Sequence, residues 1–316
     1  MREINFLGLG FDLGQEQSGL KNSHEYFRQY FSFLKRHGLN FLDQGEVSHQ
    51  TLLRPKIYSS KQVGSVDWQP YAKAYAKIRE LLKKPQTLLN WGGDHSVAIS
   101  TVGAFCAQNP DGYVLWVDAH ADINLPDYSL SGNIHGMPLS ILMNLQNIAN
   151  KHFPWIERAL DAEKLIYVGV RDLDPFEAEI VSKLNIRTYM ADEVRRRGMP
   201  AISREIFNLV ADRPLHVSFD IDSLSPEFAP STGVLTPHGL NIEDLKILGD
   251  ALSKHRKITS IDIVEINPAL GSASDVFQTY MAALVLLVSI FYQGETYDGI
   301  GQSVQTIDTA QMESRS

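Results

Sequence analysis

The stretch Tyr113–Asn124, YVLWVDAHADIN, joins five apolar residues directly to Asp118, His120 and Asp122. A short run that is apolar throughout fits a strand covered on both faces. Side chains at alternate positions of an extended chain share a face, so Asp118, His120 and Asp122 point the same way as the chain leaves that strand. Carboxylates converging there repel each other unless a cation or a firm hydrogen-bond network holds them.

Similar runs recur on either side: Ile4–Phe11, Thr87–Trp91, Leu165–Val170, Leu215–Phe219 and Ile258–Val264. Helical segments are expected between them at Ser23–Lys35, Tyr71–Lys83, Ser96–Gln108, Met137–Asn150, Pro175–Leu184, Ile242–Lys254 and Asp275–Phe291. This alternation predicts an α/β fold of three layers, α/β/α, around a central, mostly parallel sheet. No linker, charge block or repeat divides the chain, so residues 1–316 read as a single domain with a polar tail over about 297–316. In such sheets ligands gather at the carboxyl ends of the strands, where Asp118 stands.

Composition narrows the function. Hydrophobic residues make up 44% and charged residues 21% of the chain, values of an ordinary globular protein. A net charge of −8 disfavours nucleic acid, and the one basic run, Arg195-Arg196-Arg197, suits a solvated helix face. Cys106 is the single cysteine, which excludes an intrachain disulfide, disfavours a thiolate metal site and fits a reducing, cytoplasmic setting. The start MREINFLGLGF reads as a first strand rather than a signal peptide, and the run Met281–Tyr292 as a buried helix too short to span a membrane.

Four further segments place polar groups straight after apolar runs: LLNWGGDHS with His95, VGVRDLDP with Asp174, HVSFDIDSLSP with Asp220 and Asp222, and DIVEINP with Glu265. Any one of them has an ordinary explanation, such as a helix N-cap for Asp174 ahead of Pro175. Together, Asp118, Asp122, Asp220, Asp222, His95 and His120 supply four carboxylates and two imidazoles without a thiolate. That set suits hard or borderline cations such as Mn²⁺. It also exceeds what one divalent ion needs, which points to a two-metal cluster with bridging carboxylates.

In this order GGDHS, DAHAD, HGMP, SFDID and DIVEINP resemble the signature of the ureohydrolases, and the segments around them resemble arginase in particular. The similarity runs from the first strand to about Leu270. It implies a single α/β domain and two Mn²⁺ per chain. His95, Asp118, Asp122 and Asp220 would bind one ion, and His120, Asp118, Asp220 and Asp222 the other, with Asp118 and Asp220 bridging. It further implies hydrolysis of the guanidinium of L-arginine to L-ornithine and urea by a metal-bridging hydroxide oriented by Asp122. Glu265 would pair with the guanidinium nitrogens and His135 pass a proton to the departing amine. Asn124, Ser131 and Asn133 would hold the substrate carboxylate, Asp174 its α-amino group, and Thr236 would lie near the guanidinium. A homo-oligomer, trimer or hexamer, is implied as well.

The chain departs from the family pattern at Ser225-Pro226, where an Asp-Pro pair is usual, and in STGVLTPHGL, which reads as about two residues longer ahead of Thr236-Pro237. Neither change touches an expected ligand; both bear on the loop carrying Thr236. Agmatinase and formimidoylglutamase chemistry are the alternatives within the class. A non-catalytic metal-binding relative is the alternative outside it, and its mark, loss of ligand residues, is absent at every matching position.

Overall fold

The apolar runs fold as strands of one sheet in a computed structural model that describes residues 2–50 and 54–292. In chain order they are β1 (Arg2–Gly10), β2 (Leu39–Ser48), β3 (Leu88–Trp91), β4 (Tyr113–Val117), β5 (Leu165–Val168), β6 (Arg187–Tyr189), β7 (Leu215–Asp220) and β8 (Ile258–Val264). Their spatial order is β2-β1-β3-β8-β7-β4-β5-β6, and every neighbouring pair is parallel. The helices are α1 (Ser23–Arg28), α2 (Phe31–Arg36), α3 (Gln69–Leu81), α4 (Ala98–Gln108), α5 (Pro138–Leu142), α6 (Ile148–His152), α7 (Pro175–Lys183), α8 (Ala191–Arg197), α9 (Met199–Val210), α10 (Ile242–Lys254) and α11 (Ala273–Phe291).

Strand β4 shows why this is a three-layer fold. Leu115 and Val117 pack in a core shared with Val194, Ile206, Leu248 and Leu287 of α8 to α11. Val114 and Trp116, on the opposite face, pack with Ala98, Val102 and Phe105 around α4. The two-residue period of the strand thus feeds two separate cores. α11 is by length and composition apolar enough to cross a membrane, but 67% of its most apolar window is buried inside the fold, with Ala283, Leu286 and Leu287 in the core.

Several expectations are corrected. β2 and β6 fall outside the apolar runs read from the sequence, and both lie at sheet edges. β2 carries Asn40, Asp43, Gln44 and Glu46 on a half-exposed surface, so it lacks the continuous apolar signature of the inner strands. α8 and α9 were also unanticipated; they meet at Gly198, whose φ of +81° turns the chain before Pro200 starts the next helix. The expected helix Met137–Asn150 is two short ones, because Asn144, Gln146 and Asn147 adopt positive φ between α5 and α6. Ser23–Lys35 is interrupted between α1 and α2 at Gln29 and Tyr30. Arg195, Arg196 and Arg197 do lie on a helix, α8, where Arg197 pairs with Glu193 and Glu205. The expected polar tail 297–316 lies outside the described residues.

The carboxyl ends of β3, β4, β5, β7 and β8 converge, and this brings the five polar segments together. Their close approach depends on Gly93: a Cβ there would stand 1.5 Å from the carbonyl oxygen of Phe11, so only glycine lets the β3 loop pass beneath the end of β1.

Candidate functional site

His95 and Asp118 occupy the centre. His95 Nδ1 lies 2.9 Å from Asp118 Oδ2, 3.1 Å from Asp122 Oδ2 and 3.1 Å from Asp220 Oδ2. His120 Nδ1 lies 3.1 Å from Asp222 Oδ2 and 3.5 Å from Asp118 Oδ1. Two trios of donor atoms result, His95/Asp118/Asp122 and Asp118/His120/Asp222, the atoms of each within 4.8 Å of one another and both using Asp118. All six residues expected to bind metal therefore meet at one place.

The backbone aims these side chains. Asp118 Oδ1 accepts from the His120 N–H at 2.8 Å, Asp220 Oδ1 from the Asp222 N–H at 2.9 Å, and Asp222 Oδ1 from the Ala119 N–H at 3.2 Å. Each bond consumes one oxygen's lone pair and leaves others facing inward. Trp116 Nε1 donates to Asp118 Oδ2 at 2.9 Å, and its ring stacks on His95 with centroids 4.0 Å apart. His95 Nε2 lies 2.8 Å from Ser218 Oγ, which fixes the ring so that Nδ1 faces the carboxylates. Asp122 is held at φ +49°, a conformation that aspartate tolerates at some cost.

These groups fit a pair of cations. His95 Nδ1 is fully buried and has no hydrogen-bond partner of acceptable geometry, although three carboxylate oxygens surround it. Burial and the charge of Asp118 push Asp122 up to about 6. Burial and the charges of Asp222 and Asp118 raise Asp220 as well. Burial alone would lower His95, but Asp118, Asp122 and Asp220 outweigh it and raise its pKa. Protons could neutralise such a cluster only by filling the positions that metal ligands keep open. Divalent cations neutralise it with every ligand deprotonated, and the all-oxygen-and-imidazole donor set suits hard or borderline ions.

Beside the cluster opens a cavity of about 250 Å³ lined by Asn124, Ser131, Asn133, His135, Asp174 and Glu265, together with Asp122, Asp220, Asp222 and His120. Asn124 Nδ2 donates to Asp174 Oδ2 at 2.7 Å. His135 Nδ1 lies 3.0 Å from Glu265 Oε1. Burial opposes a charge on His135, yet Glu265, Asp122 and Asp94 carry its pKa up to about 9. Asp174 is the N-cap of α7 and also lines the cavity. Thr236 is not among the lining residues. Its carbonyl accepts from Arg171 Nη2 at 2.6 Å, and Val234 of the same loop lines the cavity instead.

The geometry also names residues that the sequence reading missed. Glu177 lines the cavity, and its Oε1 accepts from the Ile123 N–H at 3.2 Å while Oε2 accepts from the Asp174 N–H at 3.1 Å. Burial, with the charges of Asp122 and Asp174, pushes it up to about 7. The Asp174-Pro-Phe-Glu177 spacing of a capping box was its available signal. Ser129 and Asp172 line the cavity too. Gln15, whose Nε2 donates to Glu265 Oε2 at 2.5 Å, comes from the loop after β1 and carries no sequence signal.

The parallel sheet thus carries paired His/Asp trios at its carboxyl edge beside an acidic cavity, an arrangement able to hold divalent cations next to a bound ligand. Comparison with known proteins makes this specific. The family model described as "Arginase family" matches residues 2–292. Hepatic arginase of Aquarana catesbeiana is 32% identical over 311 residues, covering 96% of each chain. Among solved structures, Bacillus cereus arginase superposes with a TM-score of 0.80 at 27% identity, covering 93% of this chain and 100% of that one. Entamoeba histolytica arginase in complex with L-ornithine superposes at 0.78 with 26% identity, covering 91% and 99%. This chain belongs to the arginase family.

Proposed function

We propose that the chain hydrolyses L-arginine to L-ornithine and urea with two Mn²⁺ ions. The observation that carries this reading is the pair of His/Asp trios sharing Asp118, set beside a cavity whose lining includes Asn124, Ser131 and Asp174. His95, Asp118, Asp122 and Asp220 would hold one ion, and His120, Asp118, Asp220 and Asp222 the other. When bound, such ions acidify water enough to supply a nucleophile near neutral pH.

The remaining work belongs to the protein. Glu265 accepts a hydrogen bond from the guanidinium and holds its carbon over the cluster. Asp122 orients the attacking water by accepting a hydrogen bond. As oxygen bonds to the guanidinium carbon and the bond from that carbon to the chain nitrogen breaks, His135 gives this nitrogen a proton, so that ornithine leaves as an amine. Asn124, Ser131 and Asn133 donate to the α-carboxylate, and Asp174 accepts from the α-amino group. The L-ornithine bound to the Entamoeba relative supports this substrate for the present chain.

The test compares urea release from L-arginine and agmatine by Mn²⁺-loaded protein. L-Arginine should be strongly preferred, because groups built to pair with a carboxylate are left unpaired by agmatine. Asp174→Ala should raise KM for L-arginine and leave metal content unchanged. Equal or better use of agmatine would overturn the arginine assignment and leave amidine hydrolysis standing.

A further inference from the structure

Glu265 enters the site at a φ of +64°, a conformation rare for glutamate, and its carboxylate is gripped on both oxygens. Oε1 accepts from the His95 N–H at 2.8 Å and from His135 Nδ1 at 3.0 Å. Oε2 accepts from Gln15 Nε2 at 2.5 Å. A carboxylate offers about four lone-pair directions. With those three partners in place, the direction left for a ligand is on Oε2.

We propose that Gln15 is a positioning residue: with Oε1 filled by the His95 N–H and His135, it occupies one lone pair of Glu265 Oε2 and so fixes the carboxylate with a single remaining acceptor direction aimed at the guanidinium. The proposal rests on the reading of Glu265 as the guanidinium acceptor. The backbone around Gln15 is fixed independently of Glu265. The Gly14 N–H donates to Asp94 Oδ2 at 2.7 Å, and the Gly14 carbonyl accepts from the His135 N–H at 3.1 Å. The amide can face only one way, because its oxygen against the carboxylate would repel. That oxygen turns instead towards Gly233, where a Cβ would come within 2.7 Å of it. Gln17 Nε2 donates to the Gly233 carbonyl at 3.2 Å, so the loop carrying Val234 closes over the same segment. Gln15 is 4% exposed, and its donor end is spent on Glu265.

Loss of this bond should leave the metal ligands untouched and let the Glu265 carboxylate pivot. Misplacing a substrate-orienting group by about 1 Å can cost roughly a hundredfold in rate. In Mn²⁺-loaded Gln15→Ala, kcat for L-arginine should fall roughly 10- to 100-fold, with metal content at the wild-type level and a smaller change in KM. Gln15→Glu provides a readout that a merely structural role would not move. Its new carboxyl faces Glu265, Asp94 and His135, and it can donate to Oε2 only while protonated, so activity should decline with rising pH where the wild type does not. Wild-type kcat and KM in Gln15→Ala, or a Gln15→Glu pH profile that superposes on the wild type, would overturn the proposal. Wild-type protein that releases no urea strikes the arginine reading instead. Crystals of Gln15→Ala then still decide: a turned Glu265 carboxylate supports the positioning role, and an unmoved one overturns it whatever the substrate.

Discussion

Arg171 should prove one of the most sensitive side chains outside the metal cluster. It leaves the end of β5 and places its guanidinium among backbone carbonyls of two other loops. Nε donates to Pro237 O at 2.9 Å; Nη1 reaches Gly169 O at 3.2 Å and Ser223 O at 3.1 Å. Nη2 reaches Asp222 O at 2.8 Å, Leu224 O at 3.2 Å and Thr236 O at 2.6 Å. These contacts use all of the guanidinium's N–H donors and tie the loop after β7, which carries Asp222, to the loop that carries Val234. A hydrogen bond to a charged group contributes roughly 1.5–3 kcal/mol, and the sum is reduced by desolvation of the guanidinium. Arg171→Met keeps the stem and orphans the carbonyls, so a loss of about 1–3 kcal/mol is expected, the cost of leaving buried acceptors unsatisfied. Arg171→Lys should recover only part of it, since three donors on a point charge cannot reproduce the planar fork. Chemical denaturation of the three proteins measures the difference, and urea release shows whether the Val234 loop has shifted. If Arg171→Met lies within about 1 kcal/mol of wild type, or Arg171→Lys equals it, the tie between loops is not what stabilises this edge.

Ser218→Ala should weaken Mn²⁺ binding or activity about 10- to 100-fold, because His95 loses the partner that turns Nδ1 inward. Metal titration at constant pH checks this, and an unchanged affinity would deny Ser218 that role. Chelation of the loaded protein should lower its melting temperature and Mn²⁺ should restore it, with about 2.7 kcal/mol available at a hundredfold excess over Kd. An identical melting curve with and without metal would rule out a site that the folded state alone provides. Acid should destabilise the β1–β2 edge. Burial lowers the His24 pKa despite its 2.9 Å contact with Glu46, and contacts from His24 and Arg28 lower that of Glu46. Both folded values are depressed, so their contribution is present above the unfolded pKa values and is lost as pH falls from about 6.5. His24→Gln should flatten the decline of melting temperature on the acid side, and parallel curves for the two proteins would refute the assignment.

What could be read from the sequence divides along physical lines. Inner strands such as β4 and β7 are covered on both faces and announce themselves as apolar runs. The edge strand β2 is half wet and does not. The metal-ligand candidates are legible because Asp118, His120 and Asp122 repeat at alternate positions on one short segment, as do Asp220 and Asp222. Gln15 acts on Glu265 across 250 positions of sequence, and Ser218 on His95 across 123. No local pattern carries such pairings, which exist only once the strand order is set. Thr236 illustrates the remaining kind of miss. The resemblance places Thr236 near the guanidinium, but the turn after Gly233 brings Val234 to the cavity wall and commits the Thr236 carbonyl to Arg171.

The charge around the cavity makes the choice of substrate a contest between two forces. Its described lining residues include no lysine or arginine, and Asp172, Asp174, Glu177 and Glu265 add carboxylates beyond those of the metal cluster. Field alone therefore favours the more cationic ligand, and agmatine carries two positive charges where L-arginine carries a compensating carboxylate. Preference for L-arginine requires the neutral donors to outweigh this. Asn124, Ser129, Ser131 and Asn133 line the cavity and can donate without adding charge. Asn124 is already oriented by Asp174, so a ligand with both an ammonium and a carboxylate can meet the pair together, whereas an amine alone satisfies only Asp174. If this balance is right, Asn124→Ala should narrow the gap between L-arginine and agmatine from the arginine side alone, lowering kcat/KM for L-arginine and leaving that for agmatine nearly unchanged. Equal losses on both substrates would mean that Asn124 supports the cavity wall, and that discrimination lies elsewhere.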